Sequence, residues 1–170
     1  VVQVLDLDKV LTRIVYEAIH MLQVETGSVL LLDEKTHKLT FNVSVSNGQR
    51  IDIDADLDFG QGLAGWVAKN REAVCVSDVQ RDDRWYGEVE DEFNTRSIIC
   101  VPLQAEDRVL GVLQVLNKKG TYGFDKKDVA RLSTFATSAT IAIENARLFE
   151  EVSEARRLRA LNQSALKLSS

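Results

Sequence analysis

The chain has 170 residues, and its 45% hydrophobic and 28% charged residues are typical of a globular protein with one sizeable core. The net charge of −5 argues against a nucleic-acid-binding surface, which needs clustered lysines and arginines. No apolar run approaches the roughly 18 residues of a membrane span, and no signal peptide is present, so we expect neither membrane insertion nor secretion. Because the chain begins on Val1 and its two cysteines lie in apolar stretches, we expect a reduced, cytoplasmic piece of a longer protein.

The first half of the sequence predicts a helix followed by several strands. Residues 5–24 carry an apolar stripe at helical spacing. Residues 28–32 and 39–45 predict the two strands of a hairpin around the turn DEKTHK, and the Asn47–Gly48 pair indicates another turn. Residues 51–59 alternate apolar residues with aspartates, which predicts a strand with one solvated face.

The second half predicts short elements and then one long helix. A short helix is expected over 62–70 and a strand over 73–77. Two more strands are expected in 97–118 around the turn AEDR. From Asp125 to about residue 168 no helix breaker occurs, which predicts a helix roughly 65 Å long at about 1.5 Å per residue. Antiparallel strands with helices gathered to one side indicate the α+β class.

The stretch FGQGLAGWVAKN, residues 59–70, matches the G-x-G-x-x-G spacing of dinucleotide-binding folds through Gly60, Gly62 and Gly65. Its surroundings do not fit NAD: the following helix is short for a crossover, and the preceding strand is half exposed and rich in aspartate. The glycines are therefore predicted to let the chain turn into a short helix. The N–H groups at that helix start could still meet an anion.

Catalytic and metal sites find little support in the residue pattern. An EF-hand loop beginning at Asp52 needs Gly and Glu where Leu57 and Leu63 stand. The two histidines are far apart, so we expect no metal site, and no Ser-His-Asp set or acid pair suggests a catalytic residue. Cys75 and Cys100 are interpreted as core residues.

The C-terminal helix carries apolar residues spaced by three and four positions, with one stammer-like step. They stand at 141, 148, 152, 155, 158, 161, 165 and 168. Beyond Phe149 little of the domain remains to cover them, so we expect a parallel homodimer formed through the terminal helices. The alternative is a frayed tail that exposes scattered leucines.

Three segments in order, GQGLAGWVAKNREAVCVSD, NTRSIICVPL and RVLGVLQVLNKKGTYGFDKKDVARLSTFATSATIAIENARLF, resemble a GAF domain over about residues 10–150. The resemblance implies a GAF/PAS-like central antiparallel sheet, with N- and C-terminal helices packed on one face and a ligand pocket on the other. It divides the chain into an N-terminal helix (1–24), a GAF core (25–149) and a signalling helix (150–170) that leads to an output domain. GAF domains are regulatory modules of phosphodiesterases, cyclases, sensor kinases and transcriptional activators.

The subset of GAF domains that binds cyclic nucleotides carries a signature similar to one in this chain. Asn117, Lys118, Phe124 and Asp128 match it, whereas Val129 stands where that subset has Glu. In that subset the Lys and the Asp form a structural pair, so the match implies the fold more than the ligand.

The resemblance also implies the residues that face a ligand. Gln114 stands where cyclic-nucleotide binders have Glu, and Ser44 and Val45 stand where they have an aromatic residue and an acid. A cyclic nucleotide is therefore only a candidate ligand, beside other small molecules. The expected ligand-binding residues are Ser28, Ser44, Leu63, Ala64, Trp85, Tyr86, Thr95 and Gln114.

The segment that contains Trp85, Val89 and Phe93 has two interpretations. Their spacing of four predicts a helix that packs on the sheet. Alternatively the segment is a pocket lid, with Trp85 or Tyr86 stacked on a flat ligand.

Three functions follow from these patterns. The first is a sensory module that passes ligand binding through a dimeric helix to a covalently linked effector domain. The second is a ligand-free dimerisation module whose pocket is filled by its own side chains. The third is a thiol-based reductase, for which GAF-type methionine sulfoxide reductases use a cysteine where Leu63 stands here.

Overall fold

The computed structural model describes residues 4–85, 94–120 and 123–169, with side chains from residue 7 onward. The chain forms three α-helices, one 3-10 turn and seven strands within these ranges. In chain order they are α1 (Val4–Leu22), β1 (Val24–Asp33), β2 (Lys38–Ser46), β3 (Gln49–Ile51), β4 (Asp56–Asp58), α2 (Gly62–Asn70), β5 (Val74–Val76), the 3-10 turn (Val79–Arg81), β6 (Ile98–Ala105), β7 (Arg108–Lys118) and α3 (Lys126–Ser169).

The strands form one antiparallel sheet in the order β3-β2-β1-β7-β6-β5, and β4 pairs with the other end of β2. The central pair, β1 and β7, joins the first and last strands of the chain. This arrangement confirms the predicted α+β fold, and α2 has the predicted bounds.

Each face of the sheet is covered by different elements. On one face α1 and the first part of α3 pack onto alternate strand residues, including Val29, Val43 and Leu113. Gly27 lies on this face, where an added Cβ would stand 3.1 Å from side-chain atoms of Val15 and Ile19. Helix α1 therefore lies directly against β1. The opposite face is covered by α2 and the segment after β5.

The predicted continuous strand over 51–59 is wrong, because residues 52–55 leave the ladder. Ser44 pairs with Ile51 and Thr40 pairs with Asp56, so four residues span the distance of three on β2. The extra residue breaks the register, so β3 and β4 are two separate strands. The predicted alternation of burial remains: the aspartates are exposed, whereas Leu57 is fully buried.

Helix α3 begins with reciprocal hydrogen bonds and then leaves the domain. The N–H of Asp128 donates to Oδ1 of Asp125 at 2.9 Å, and the N–H of Asp125 donates to Oδ2 of Asp128 at 3.1 Å. This confirms the predicted capping arrangement, in which Asp takes the usual place of Glu. Ala146 is the last fully packed residue of α3, and from Glu150 onward every described residue is exposed. No described helix is apolar over enough of its length to cross a bilayer.

Candidate functional site

A row of polar side chains crosses the middle of the sheet on the α2 face. Ser28 on β1 pairs with Ser44 on β2 and with Gln114 on β7, so the three residues are neighbours. The hydroxyl oxygens of Ser28 and Ser44 lie 2.9 Å apart and share a hydrogen bond. Three of the predicted ligand-binding residues therefore come together, although they are up to 86 positions apart in sequence.

Gln114 is the unusual member of this row. Its side chain is 0% exposed, and neither Nε2 nor Oε1 has a hydrogen-bond partner among the described residues. Leaving a buried donor or acceptor unpaired costs about 1–3 kcal/mol. A buried unpaired polar group in a native structure calls for an explanation, and a functional role is one of them.

Sequence reasoning missed further polar groups on the same face. Thr26 and Ser46 form a second cross-strand hydroxyl pair, with their oxygens 2.9 Å apart. Cys100 on β6 pairs with Gln114 from the other side. The signal was present as period-two polarity in T-G-S, residues 26–28, and S-V-S, residues 44–46.

Helix α2 covers this face, and the three glycines shape its approach. Gly60 and Gly62 have φ angles of +90° and +69°, which favour glycine. A Cβ on Gly65 would stand 2.7 Å from the carbonyl oxygen of Asp58, so α2 can approach the preceding turn only with glycine there. The glycines thus have the predicted structural role. They bring Leu63 and Ala64, both fully buried, over the sheet.

The segment after β5 packs beside α2 through an arginine and two tryptophans. The guanidinium carbon of Arg84 lies 4.6 Å from the ring centroid of Trp66 on α2. Asp82 accepts hydrogen bonds from Nη2 and Nε of Arg84 at 2.6 and 2.8 Å. These bonds hold the pKa of Asp82 below its ordinary value, against the opposing effect of burial. Trp85 is half-buried against the α2-side cluster.

We call residues 82–85 the latch. Tyr86, Val89 and Phe93, on which the sequence placed a stacking aromatic and a helical stripe, lie outside the described residues.

The chain returns to the sheet at Asn94–Ser97 through a network around Asn117. Thr95 is buried, and the next N–H, of Arg96, donates to Oδ1 of Asn117 at 2.6 Å. Nδ2 of Asn117 donates to Oε2 of Glu25 at 3.0 Å and to the carbonyl oxygen of Asn94 at 3.3 Å. Arg96 also pairs with Glu25 at 2.9 Å. Asn117 thus ties the end of this segment to the start of β1.

Lys118, the next residue, ties the sheet to both terminal helices. Its Nζ donates to the carbonyl oxygen of Leu22 at 2.5 Å and to Oδ1 of Asp128 at 3.1 Å. Phe124 is buried in the helix-side core. The signature residues Lys118, Phe124 and Asp128 therefore lie away from the α2 face, as expected for a structural motif.

The thiols have different environments. The predicted core position is confirmed for Cys100, which is buried, and is wrong for Cys75, which is exposed on the short edge strand β5. Desolvation, together with the charges of Asp128 and Asp125, raises the pKa of Cys75. A raised pKa lowers the thiolate fraction at neutral pH, which opposes nucleophilic chemistry at this residue. Within residues 4–85, 94–120 and 123–169, no group of three or more His, Cys, Asp or Glu could hold a metal ion.

Comparisons with known proteins point to one family. A sequence model described as GAF domain matches residues 4–144. A cGMP-specific 3′,5′-cyclic phosphodiesterase of Drosophila virilis is 33% identical over 146 residues, which cover 83% of this chain and 16% of that protein. A probable 3′,5′-cyclic phosphodiesterase of Caenorhabditis elegans is 22% identical over 160 residues, covering 88% of this chain and 22% of that protein. The chain thus spans about a fifth or less of these relatives.

Solved structures share the fold. The GAF domain of a phosphoenolpyruvate-protein phosphotransferase from Acinetobacter superposes with a TM-score of 0.73 at 23% identity, over 85% of this chain and 86% of that one. A free methionine-R-sulfoxide reductase from Neisseria meningitidis superposes with a TM-score of 0.69 at 22% identity, over 84% and 81%. Sequence and fold together show that the chain belongs to the GAF domain family.

Proposed function

We propose that this GAF domain is a signal-sensing module that binds a small molecule between the sheet and α2. The observation that carries the proposal is the fully buried Gln114 amide, which has no hydrogen-bond partner among the described residues. Since an unpaired buried amide destabilises the free protein, a ligand that pairs with it gains binding energy. Ser28 and Ser44 supply neighbouring hydroxyls.

A cyclic nucleotide is the candidate ligand. Several relatives are cGMP-specific cyclic phosphodiesterases, and one of them is 33% identical to this chain. Trp85 is an aromatic surface beside the α2-side core, and the N–H groups at the start of α2 suit a phosphate. The buried Thr95 belongs to the same proposed site. The base-reading residues differ from the cyclic-nucleotide subset at Gln114, Ser44 and Val45, so the base preference need not follow the relatives.

The signal passes from the ligand to the terminal helices through two adjacent residues. Asn117 holds the end of the segment that follows the latch, and Lys118 holds the C-terminus of α1 and the first turn of α3. A ligand that displaces the latch therefore shifts the helix ends through the Asn117–Lys118 backbone. A preference of a few kcal/mol for one helix packing suffices to change its population.

The exposed part of α3 is the proposed route by which the signal leaves the domain. Its apolar residues form a seam that a second copy covers in a parallel homodimer, and the helix continues to a covalently linked effector domain. On this proposal the domain is regulatory rather than catalytic, and it works in the cytoplasm. The exposed large residues of the seam are Ile141, Leu148, Val152, Leu158, Leu161 and Leu168.

One observation favours a second function, a ligand-free dimerisation module. Ser28 and Gln114 are 0% exposed and Ser44 is 2% exposed, so the protein's own side chains already cover the polar row. On this alternative the α3 seam still dimerises, but the α2 face has no ligand.

Mass spectrometry under native conditions, on protein purified without added ligand, separates the two functions. Thermal unfolding with cyclic AMP and cyclic GMP complements it. The sensor predicts retained mass or a saturable rise in the unfolding midpoint, since a ligand that binds the folded state stabilises it. A measured mass equal to that of the protein alone, together with an unfolding midpoint that neither nucleotide changes, would support the dimerisation module.

A further inference from the structure

The row of paired residues that runs across the sheet through Ser44, Ser28 and Gln114 carries no charge from one edge to the other. In the order β3, β2, β1, β7, β6 and β5, the paired residues are Ile51, Ser44, Ser28, Gln114, Cys100 and Val74. None of these six side chains carries a carboxylate, ammonium or guanidinium group. A charged group of a ligand would have no counter-charge in this row, and burying it there would be costly.

Gln114 presents two complementary groups in one plane. Its Nε2 offers donor hydrogens and its Oε1 accepts, and both atoms are buried and unpaired among the described residues. The neighbouring hydroxyls of Ser28 and Ser44 already bond to each other. A ligand edge that pairs with both atoms of the amide therefore brings its own donor and its own acceptor.

We infer that Gln114 determines ligand specificity by reading a neutral planar edge in which an N–H donor lies beside an acceptor. Lactams and aminopyrimidine-type rings have such an edge, and carboxylates and simple alcohols do not. This inference rests on the proposed function and narrows its ligand class. Binders with an ionised Glu at this position are expected to select a different ligand edge. A carboxylate only accepts hydrogen bonds, so it selects an edge with two donors.

A purely structural role explains the buried, unpaired Gln114 amide less well than a ligand-binding role does. A buried side chain kept for packing alone is better served by an apolar residue of the same shape, since replacing unpaired polar atoms by apolar ones is neutral or stabilising. Gln114 is flanked on its own strand by Leu113 and Val115, which fill the other face of the sheet. Nothing in the local pattern of alternation requires an amide at that position.

The experiment is a double-mutant-type cycle that measures the coupling energy between the Gln114 side chain and the hydrogen-bond donor on the ligand edge. Isothermal titration calorimetry measures the dissociation constants of cyclic AMP and cyclic GMP for the wild-type chain and for Gln114→Met. Each nucleotide is compared with a counterpart whose edge donor is blocked, N6,N6-dimethyl cyclic AMP or N1-methyl cyclic GMP. Met keeps the length of Gln and lacks its donor and acceptor, and Gln114→Leu is the second variant if Met perturbs folding.

For at least one nucleotide, the wild-type chain is expected to bind the parent about tenfold or more tightly than its methylated counterpart, which corresponds to about 1.4 kcal/mol. In Gln114→Met the two affinities become equal within about a factor of 2, because the amide that distinguishes them is gone. The same variant is expected to raise the unfolding midpoint of the free protein.

Two outcomes overturn the inference in distinguishable ways. If a parent nucleotide binds and its advantage over the methylated form persists in Gln114→Met, Gln114 does not read the edge, although the proposed function stands. If neither nucleotide nor either methylated form binds the wild-type chain, the inference and the cyclic-nucleotide proposal fall together.

Discussion

Nζ of Lys118 lies 3.1 Å from Oδ1 of Asp128, whose side chain is 3% exposed in the first turn of α3. The same ammonium group caps the end of α1 through the carbonyl oxygen of Leu22. Lys118→Met leaves the buried carboxylate of Asp128 with one more distant charged partner, Arg131 at 3.7 Å. We expect a loss of about 3 kcal/mol in the free energy of unfolding, measured by urea denaturation.

The control for that prediction is the double variant Lys118→Met with Asp128→Asn. Asn carries no charge, and its side-chain oxygen can still accept from the N–H of Asp125. Most of the lost stability should therefore return. Equal stability of the single and double variants would mean that charge burial is not the cause.

The fit of α2 against the turn before it depends on Gly65. Gly65→Ala places a Cβ 2.7 Å from the carbonyl oxygen of Asp58, a backbone atom that cannot rotate away. We expect a loss of about 1–3 kcal/mol in stability by thermal or urea unfolding. Gly65 lies inside α2 and has no positive φ, so this loss would come from the close approach and not from backbone strain. A change of less than about 0.5 kcal/mol in Gly65→Ala would show that the close approach does not constrain α2.

The latch should be visible in tryptophan fluorescence, because the chain has two tryptophans, Trp66 and Trp85. In a Trp85→Phe background the emission comes from Trp66, which stacks under Arg84. Arg84→Ala in that background should increase quenching by acrylamide and cost about 1 kcal/mol of stability. Arg71→Ala, a surface change at the other end of α2, is the control. Unchanged quenching in Arg84→Ala would show that the stacking does not shield the ring.

The same latch predicts an acid-sensitive component of stability. The hydrogen bonds from Arg84 lower the pKa of Asp82 in the folded state, so the unfolded chain binds this proton more tightly. The stabilisation is therefore present above the unfolded pKa of about 3.9 and is lost as pH falls below it. Asp82→Asn should flatten the decline of urea midpoints between about pH 4 and pH 2. Asp54→Asn removes an exposed carboxylate and keeps the pair, and it should leave the decline as steep as in the wild type.

The α3 seam predicts a dimer that two charges can break. Leu158→Glu with Leu161→Glu places carboxylates on residues that are 54% and 61% exposed in one copy. Sedimentation equilibrium should give a dissociation constant at least about tenfold weaker, because both partners then bury like charges at the seam. Gln163→Glu, away from the seam, should not weaken the dimer. A wild-type chain that stays monomeric at high concentration, and is unchanged by removal of residues 150–170, would refute the dimer.

Local features of the fold were predictable from residue patterns, whereas the long-range arrangement was predictable only from the resemblance to GAF domains. The bounds of α2 follow from glycines and helical propensity near Gly62, and the start of α3 follows from the Asp125–Asp128 spacing. The break over 52–55 depends on where β3 and β4 pair along β2, which no local pattern encodes.

The candidate site, too, was predictable from the sequence only in part. The resemblance to GAF domains put Ser28, Ser44 and Gln114 in one pocket, and the strand register makes them neighbours. That the Gln114 amide lacks a partner among the described residues depends on the side chains around it, which no sequence pattern encodes. The stacking of Arg84 on Trp66 joins a loop to a helix and had no signal in the sequence.

The most direct test of ligand binding on the α2 face is calorimetric titration of the wild-type chain with cyclic AMP and cyclic GMP, each up to millimolar concentration. If the α2 face is a cyclic-nucleotide site, at least one nucleotide binds saturably, with one molecule per chain, and binds Gln114→Met about tenfold or more weakly. Absence of saturable heat for both nucleotides, with no rise in the unfolding midpoint, would contradict it.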